Sequence, residues 1–121
     1  LPVLVSFACR EGGRLLSGED AKAAAAAVSL PGVVAVGVNC TALRQLLPAL
    51  FRVAEGTTLP LVAYGNNSFF AGDSPWLAAA PVAPEKYARC MLACFAAGAR
   101  LLGGCCGTTP DHIAALAALW R

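Results

Sequence analysis

The chain has 121 residues, 58% of them hydrophobic and 13% charged, with a net charge of +2. That length suits one domain with a real core, and so small and evenly spread a charge excludes recognition of nucleic acid or acidic membranes by electrostatics. Typical domains carry about a quarter charged residues, so the shortage predicts that part of this surface is covered by something else.

A short apolar run, a turn and an Ala/Leu-rich stretch of helical character recur four times. Pro2 to Ala8 reads as a buried strand, Arg10 to Arg14 as a glycine-containing hairpin or loop, and Ser17 to about Ser29 as a helix opened by Ser17 with Asp20 in a box-like arrangement. The second strand is Gly32 to Val38. Ala23 to Leu43 lacks charge over the length a membrane span needs, but Pro31-Gly32 breaks it into two elements, so no transmembrane helix is expected. Thr41 is expected to open the second helix, in which Leu43, Leu46, Leu47 and Leu50 fall at helical spacing. Pro48 either kinks it or marks its first turn. Leu59 to Tyr64 is the third strand, followed by a long loop from Gly65 to about Pro84 that holds Asn66, Asn67 and Trp76. Glu85 to Gly98 is the third helix with Gly98 as C-cap. Arg100 to Gly104 is the fourth strand, and Pro110 opens the last helix.

Four βα units with uniformly apolar strands predict a parallel α/β sheet covered by helices. An open doubly wound sheet and a barrel both fit that order. The polar chemistry favours the barrel, because Asn39-Cys40, Asn66-Asn67 and Cys105-Cys106 all follow strands, where a (β/α)8 enzyme assembles its site. A complete barrel takes about 250 residues, so four units make about half of one.

The six cysteines are too sparse and too irregularly placed for a disulfide scaffold. With no secretory leader pattern in the first residues, they predict a reducing, cytoplasmic setting and a metal or catalytic role for some thiols. Three thiolates around an open fourth position would make a catalytic zinc site. Cys105 and Cys106, flanked by Gly103-Gly104 and Gly107, can supply two sulfurs if the glycines let the backbone turn, and Cys40 can supply a third from another strand. Each of these cysteines also admits a packing role, and the vicinal pair a redox one. Cys90 and Cys94 share a helical face with Met91 and Phe95 and read as core. Cys9 reads as structural, His112 as a surface or packing residue, and Thr108 and Thr109 as caps of the last helix. Trp76 and its loop are candidates for covering a site mouth.

The run from Gly103 to Ile113 (GGCCGTTPDHI) resembles the C-terminal signature of the homocysteine S-methyltransferase family, which includes the homocysteine-binding module of cobalamin-dependent methionine synthase. Ala35 to Cys40 (AVGVNC) is similar to its second zinc motif, Val62 to Asn66 (VAYGN) to the strand and loop between them, and Val3 to Arg14 to the strand before. The resemblance implies that residues 1–121 are the C-terminal half, strands five to eight, of a homocysteine-binding (β/α)8 barrel with no second domain. It implies transfer of a methyl group to the homocysteine thiol, giving methionine, with Zn2+ held by Cys40, Cys105 and Cys106. It makes Asn66 a substrate-binding residue near the metal, able to fill the fourth position when substrate is absent. The chain departs from the family pattern at Gly65, where a proline is usual, and at Asn67-Ser68, where a small residue and a glycine are usual. The expected partners are homocysteine, a methyl donor and an N-terminal half barrel or a dimer partner. The alternative is a truncated half barrel that binds zinc or a complementary half without turnover.

Overall fold

The computed structural model describes residues 1–67 and 81–120; the loop position Trp76 lies outside them. Four parallel strands, β1 (Val3–Phe7), β4 (Val33–Ala42), β5 (Leu61–Asn66) and β6 (Ala99–Gly104), stand side by side in that order. Helices α1 (Ala21–Val28), α2 (Leu43–Ala54) and α3 (Pro84–Ala96) connect them, and α4 (Pro110–Ala118) follows. A short antiparallel hairpin of β2 (Cys9–Arg10) and β3 (Arg14–Leu15) turns through Gly12 and Gly13, as the sequence predicts.

The register sorts the side chains into rows across the sheet. Phe7, Val38, Ala63 and Leu102 align as neighbours, and all four pack into the helix-side core. Val36 and Leu61 form the adjoining row with Ala99. From α2 and α3 come Leu46, Leu50, Tyr87 and Met91, all buried. Fully burying one such aliphatic side chain contributes roughly 1.5–3 kcal/mol. The opposite face carries the row Ser6, Gly37, Val62 and Leu101. There Gly37 is needed for space, since a Cβ would fall 2.0 Å from the Val62 carbonyl oxygen.

Several expectations need correction. The first strand is not buried: Val3 and Leu4 are 48% and 39% exposed, because β1 is an edge strand with one neighbour. The first helix opens at Ala21, capped by the Asp20 side chain on the Lys22 N–H, whereas Ser17 bonds Glu19. Thr41 does not open the second helix. It is a buried strand residue whose hydroxyl accepts the Cys9 N–H at 2.9 Å and donates to the Asn39 carbonyl at 3.0 Å. The helix begins at Leu43, so Pro48 lies inside it and beyond its first turn. Leu101 is 39% exposed on the non-helical face, the face that a closed (β/α)8 barrel turns inward.

Other elements match. The third helix runs Pro84–Ala96 with Gly98 in the left-handed region at φ 110°, and Pro110 starts α4 at its first position. Among the described residues no helix is long and apolar enough to cross a membrane.

Candidate metal centre

Two strand ends flanking β5 bring three thiols together. Cys40 is the extra residue of a β-bulge: Asn39 pairs with Tyr64 and Thr41 with Gly65, leaving Cys40 without a register partner. Its φ is 48°, the one positive value at a non-glycine among the described residues. Without the bulge, strand alternation would send Cys40 to the helix side with Val36 and Val38. With it, Thr41 takes that place and the cysteine is re-aimed, a recurring use of bulges beside functional sites. Left-handed backbone at a non-glycine residue costs on the order of 1–3 kcal/mol, so the surrounding ladder must hold it.

Cys105 and Cys106 follow β6 in a tight turn. The Cys105 carbonyl accepts the Thr108 N–H at 3.2 Å and the Thr108 hydroxyl at 2.7 Å. Gly107 sits at the third turn position with φ 75°, which favours glycine. Gly103 and Gly104 do not supply the turn expected of them, for they remain in the strand. Their reason is space: a Cβ at Gly103 would lie 2.9 Å from the Tyr64 ring, and one at Gly104 would lie 2.2 Å from the Thr108 hydroxyl.

The Cys40 and Cys106 sulfurs are 3.4 Å apart, and with Cys105 all three lie within 4.8 Å of one another. Tetrahedral zinc with Zn–S bonds of about 2.3 Å sets its sulfurs about 3.8 Å apart, a spacing inside that range. Three soft thiolates also suit zinc by donor chemistry, so these residues fit the metal that the sequence implies. Cys40 and Cys105 are half-buried and Cys106 is exposed, which leaves the cluster open to solvent. Burial, then hydrogen bonds with the Cys105 and Cys106 thiols, push the Cys40 thiol up to about 12. A divalent cation among the sulfurs acts in the opposite sense, favouring thiolate.

The other sequence candidates are not members of the three-thiol set. Asn66 ends β5, is buried, and lines a cavity of about 290 Å³ between α2 and α3 with Arg44, Lys86 and Cys90. Cys94 and Met91 are core, as expected, but Cys90 is half-buried and Phe95 is 37% exposed. Cys9 is buried and structural, its thiol pushed up to about 11 by desolvation. His112 is buried, not on the surface. Its Nδ1 accepts the Thr109 N–H at 3.1 Å in a capping box, and its Nε2 lies 2.9 Å from Asn67 Nδ2. Thr109 caps α4, whereas Thr108 serves the cysteine turn. Sequence reasoning missed Tyr87, whose hydroxyl bonds the Gly65 and Gly103 carbonyls, and singled out Asn67 only as a polar residue after the third strand; a buried tyrosine on a helix gives no local signal of its partners.

The family model for homocysteine S-methyltransferase matches residues 1–120. The homocysteine S-methyltransferase of Escherichia coli is 39% identical over 93% of this chain and 37% of that protein. Homocysteine S-methyltransferase 2 of Arabidopsis thaliana is 33% identical over 96% of this chain and 36% of that protein. The crystal structure of the metallated homocysteine methyltransferase MmuM from Escherichia coli superposes with a TM-score of 0.76 at 37% identity, covering 98% of this chain and 35% of that one. The chain therefore spans little more than a third of the length of these relatives, as four consecutive βα units of a (β/α)8 barrel. The thiol cluster, the parallel sheet and the match along the whole chain lead to one conclusion: this chain belongs to the homocysteine S-methyltransferase family.

Proposed function

We propose that the chain is the metal-bearing, C-terminal part of a barrel that transfers a methyl group to the homocysteine thiol, giving methionine. The observation that carries this reading is the meeting of three sulfurs within 4.8 Å, from two strand ends separated by β5. Cys40, Cys105 and Cys106 would hold Zn2+, leaving one position for the substrate sulfur. Bound zinc would supply the positive charge that keeps a thiol ionised at neutral pH, where a free thiol is mostly protonated.

The chain's own residues position the sulfurs. The bulge at Cys40 and the turn at Gly107 aim the sulfurs, and the exposed Cys106 leaves an approach for a soluble thiol. Three cysteinates would outweigh a bound zinc's charge and so leave the substrate thiolate electron-rich towards an electrophilic methyl group, the donor departing with the electron pair of the broken bond. Asn66 would contact the substrate from the end of β5.

Turnover would also require the other strands of the barrel. The outer edge of β6 and the groove lined by Phe95, Leu102, Ile113, Leu116 and Trp120 are where a complementary set of βα units would pack. Trp120 and Ile113 are 47% and 43% exposed there. That exposure favours a second reading, in which these residues alone bind metal or a complementary half without turnover. The test is metal analysis of the folded chain, followed by incubation with homocysteine and S-methylmethionine, alone and with the N-terminal βα units of a homologous barrel. Stoichiometric zinc and methionine in the complemented sample are expected. A folded chain that retains no zinc overturns the proposal, and zinc without methionine in either sample leaves the second reading standing.

A further inference from the structure

Each member of the vicinal cysteine pair is held through its backbone by the end of β5. The Cys105 N–H donates to the Gly65 carbonyl at 3.2 Å, and the Cys106 carbonyl accepts the Asn67 N–H at 2.8 Å. Both anchors are fixed in turn by buried side chains. The Tyr87 hydroxyl reaches the Gly65 carbonyl at 3.0 Å and the Gly103 carbonyl at 2.9 Å, sharing one proton between two strand ends. It can do so because Gly65 has no side chain; a Cβ there would stand 3.2 Å from that hydroxyl. Asn67 is locked by an amide pair with the Val82 backbone, at 2.9 and 3.1 Å, and the Nε2–H of His112 donates to the same Val82 carbonyl at 3.1 Å. The two holds also touch, since the Tyr87 and His112 rings meet edge to face at 5.5 Å.

We infer that Tyr87 and Asn67 are positioning residues for the thiol cluster: they set where Cys105 and Cys106 stand relative to Cys40, and so set the affinity and geometry of the metal site. The inference rests on the zinc reading above. Outer partners of metal ligands act in this way because a ligand that must be reoriented on binding loses affinity, typically tenfold to a hundredfold. Neither residue touches the metal or the substrate sulfur in this assignment. Tyr87→Phe keeps the buried ring and its His112 contact and removes only the hydroxyl. Asn67→Ala keeps the backbone N–H to Cys106 and removes what fixes it.

The experiment measures zinc affinity by chelator competition and records the absorption bands of the Co2+-substituted chain. It compares the unaltered chain, Tyr87→Phe, Asn67→Ala, and Ala25→Gly as a control that weakens α1 without touching the cluster or its anchors. The expected result is a tenfold to hundredfold loss of zinc affinity with shifted Co2+ bands in both anchor variants, and neither effect in the control. Unaltered affinity and spectrum in Tyr87→Phe and Asn67→Ala overturn the inference while leaving the zinc reading intact. Equal affinity loss in the control overturns it too, because affinity would then follow stability alone. Failure of Tyr87→Phe to fold makes the hydroxyl a structural requirement and also overturns it. An unaltered chain that binds no zinc sinks the zinc reading itself, and this inference with it.

Discussion

The sulfurs of Cys40 and Cys106 stand 3.4 Å apart although 66 positions separate them in the chain and their strands are not neighbours. The bulge at Cys40 and the turn through Gly107 close that gap over the end of β5. A contact made by two local backbone irregularities is sensitive to both, and it constrains what substitutions there will do.

Metal uptake should depend on pH, because the ligands must lose protons to bind. Burial and the neighbouring thiols hold Cys40 up at about 12, so its proton is still present at neutral pH. Apparent zinc affinity is expected to rise steadily from pH 6 to pH 8, with proton release on binding. Chelator competition across that range and titration in weak buffer check it; a flat profile would contradict three-thiolate ligation.

Cys40→Gly and Cys40→Ala should part company. Glycine tolerates φ 48° and relieves left-handed strain, whereas alanine keeps it. The glycine variant is expected to be about 1 kcal/mol more stable than the alanine variant without metal, while both lose stoichiometric zinc. Thermal denaturation and metal analysis of the two proteins decide this. Strain held at a site for its function is the physical basis of such a trade.

Gly37→Ala should destabilise the sheet although it adds a single methyl group. The new Cβ would meet the Val62 carbonyl oxygen at 2.0 Å, and backbone cannot move aside as a flexible side chain can. A loss of about 3 kcal/mol is expected, at the upper end of ordinary overpacking costs, read from urea denaturation midpoints.

Alkaline conditions should weaken the fold before they affect its charged surface. Desolvation pushes the Cys9 and Cys94 thiols up from 9.0 to about 11, so the folded state prefers them protonated. Their contribution is therefore fully present below pH 9 and lost as pH rises through 11. The thermal midpoint should fall between pH 9 and pH 11, and less steeply in Cys94→Ala.

The βα order was legible because a parallel sheet needs uniformly apolar strands and turn residues between elements, and both are local properties. Pro31-Gly32, Gly98 and Pro110 punctuate the chain where expected. Boundaries were less legible where tertiary bonds decided them. Thr41 has the composition of a helix cap, yet its hydroxyl serves the Cys9 N–H from within the strand, which extends β4 to Ala42.

The thiols show the same division. Residue type and spacing alone single out Cys105 and Cys106 as candidates, since a glycine-flanked vicinal pair has no packing advantage. Only the folded chain decides that Cys40 meets them, because the bulge that re-aims it depends on pairing with β5. The roles of the flanking glycines were likewise settled in three dimensions: Gly107 turns the chain, while Gly103 and Gly104 make room for Tyr64 and Thr108. Tyr87 and Asn67 belong wholly to the tertiary structure. Their hydrogen bonds reach carbonyls and amides 16 to 22 and 15 to 40 positions away, and backbone groups are the same at every residue, so no sequence pattern marks which of them a buried side chain will find.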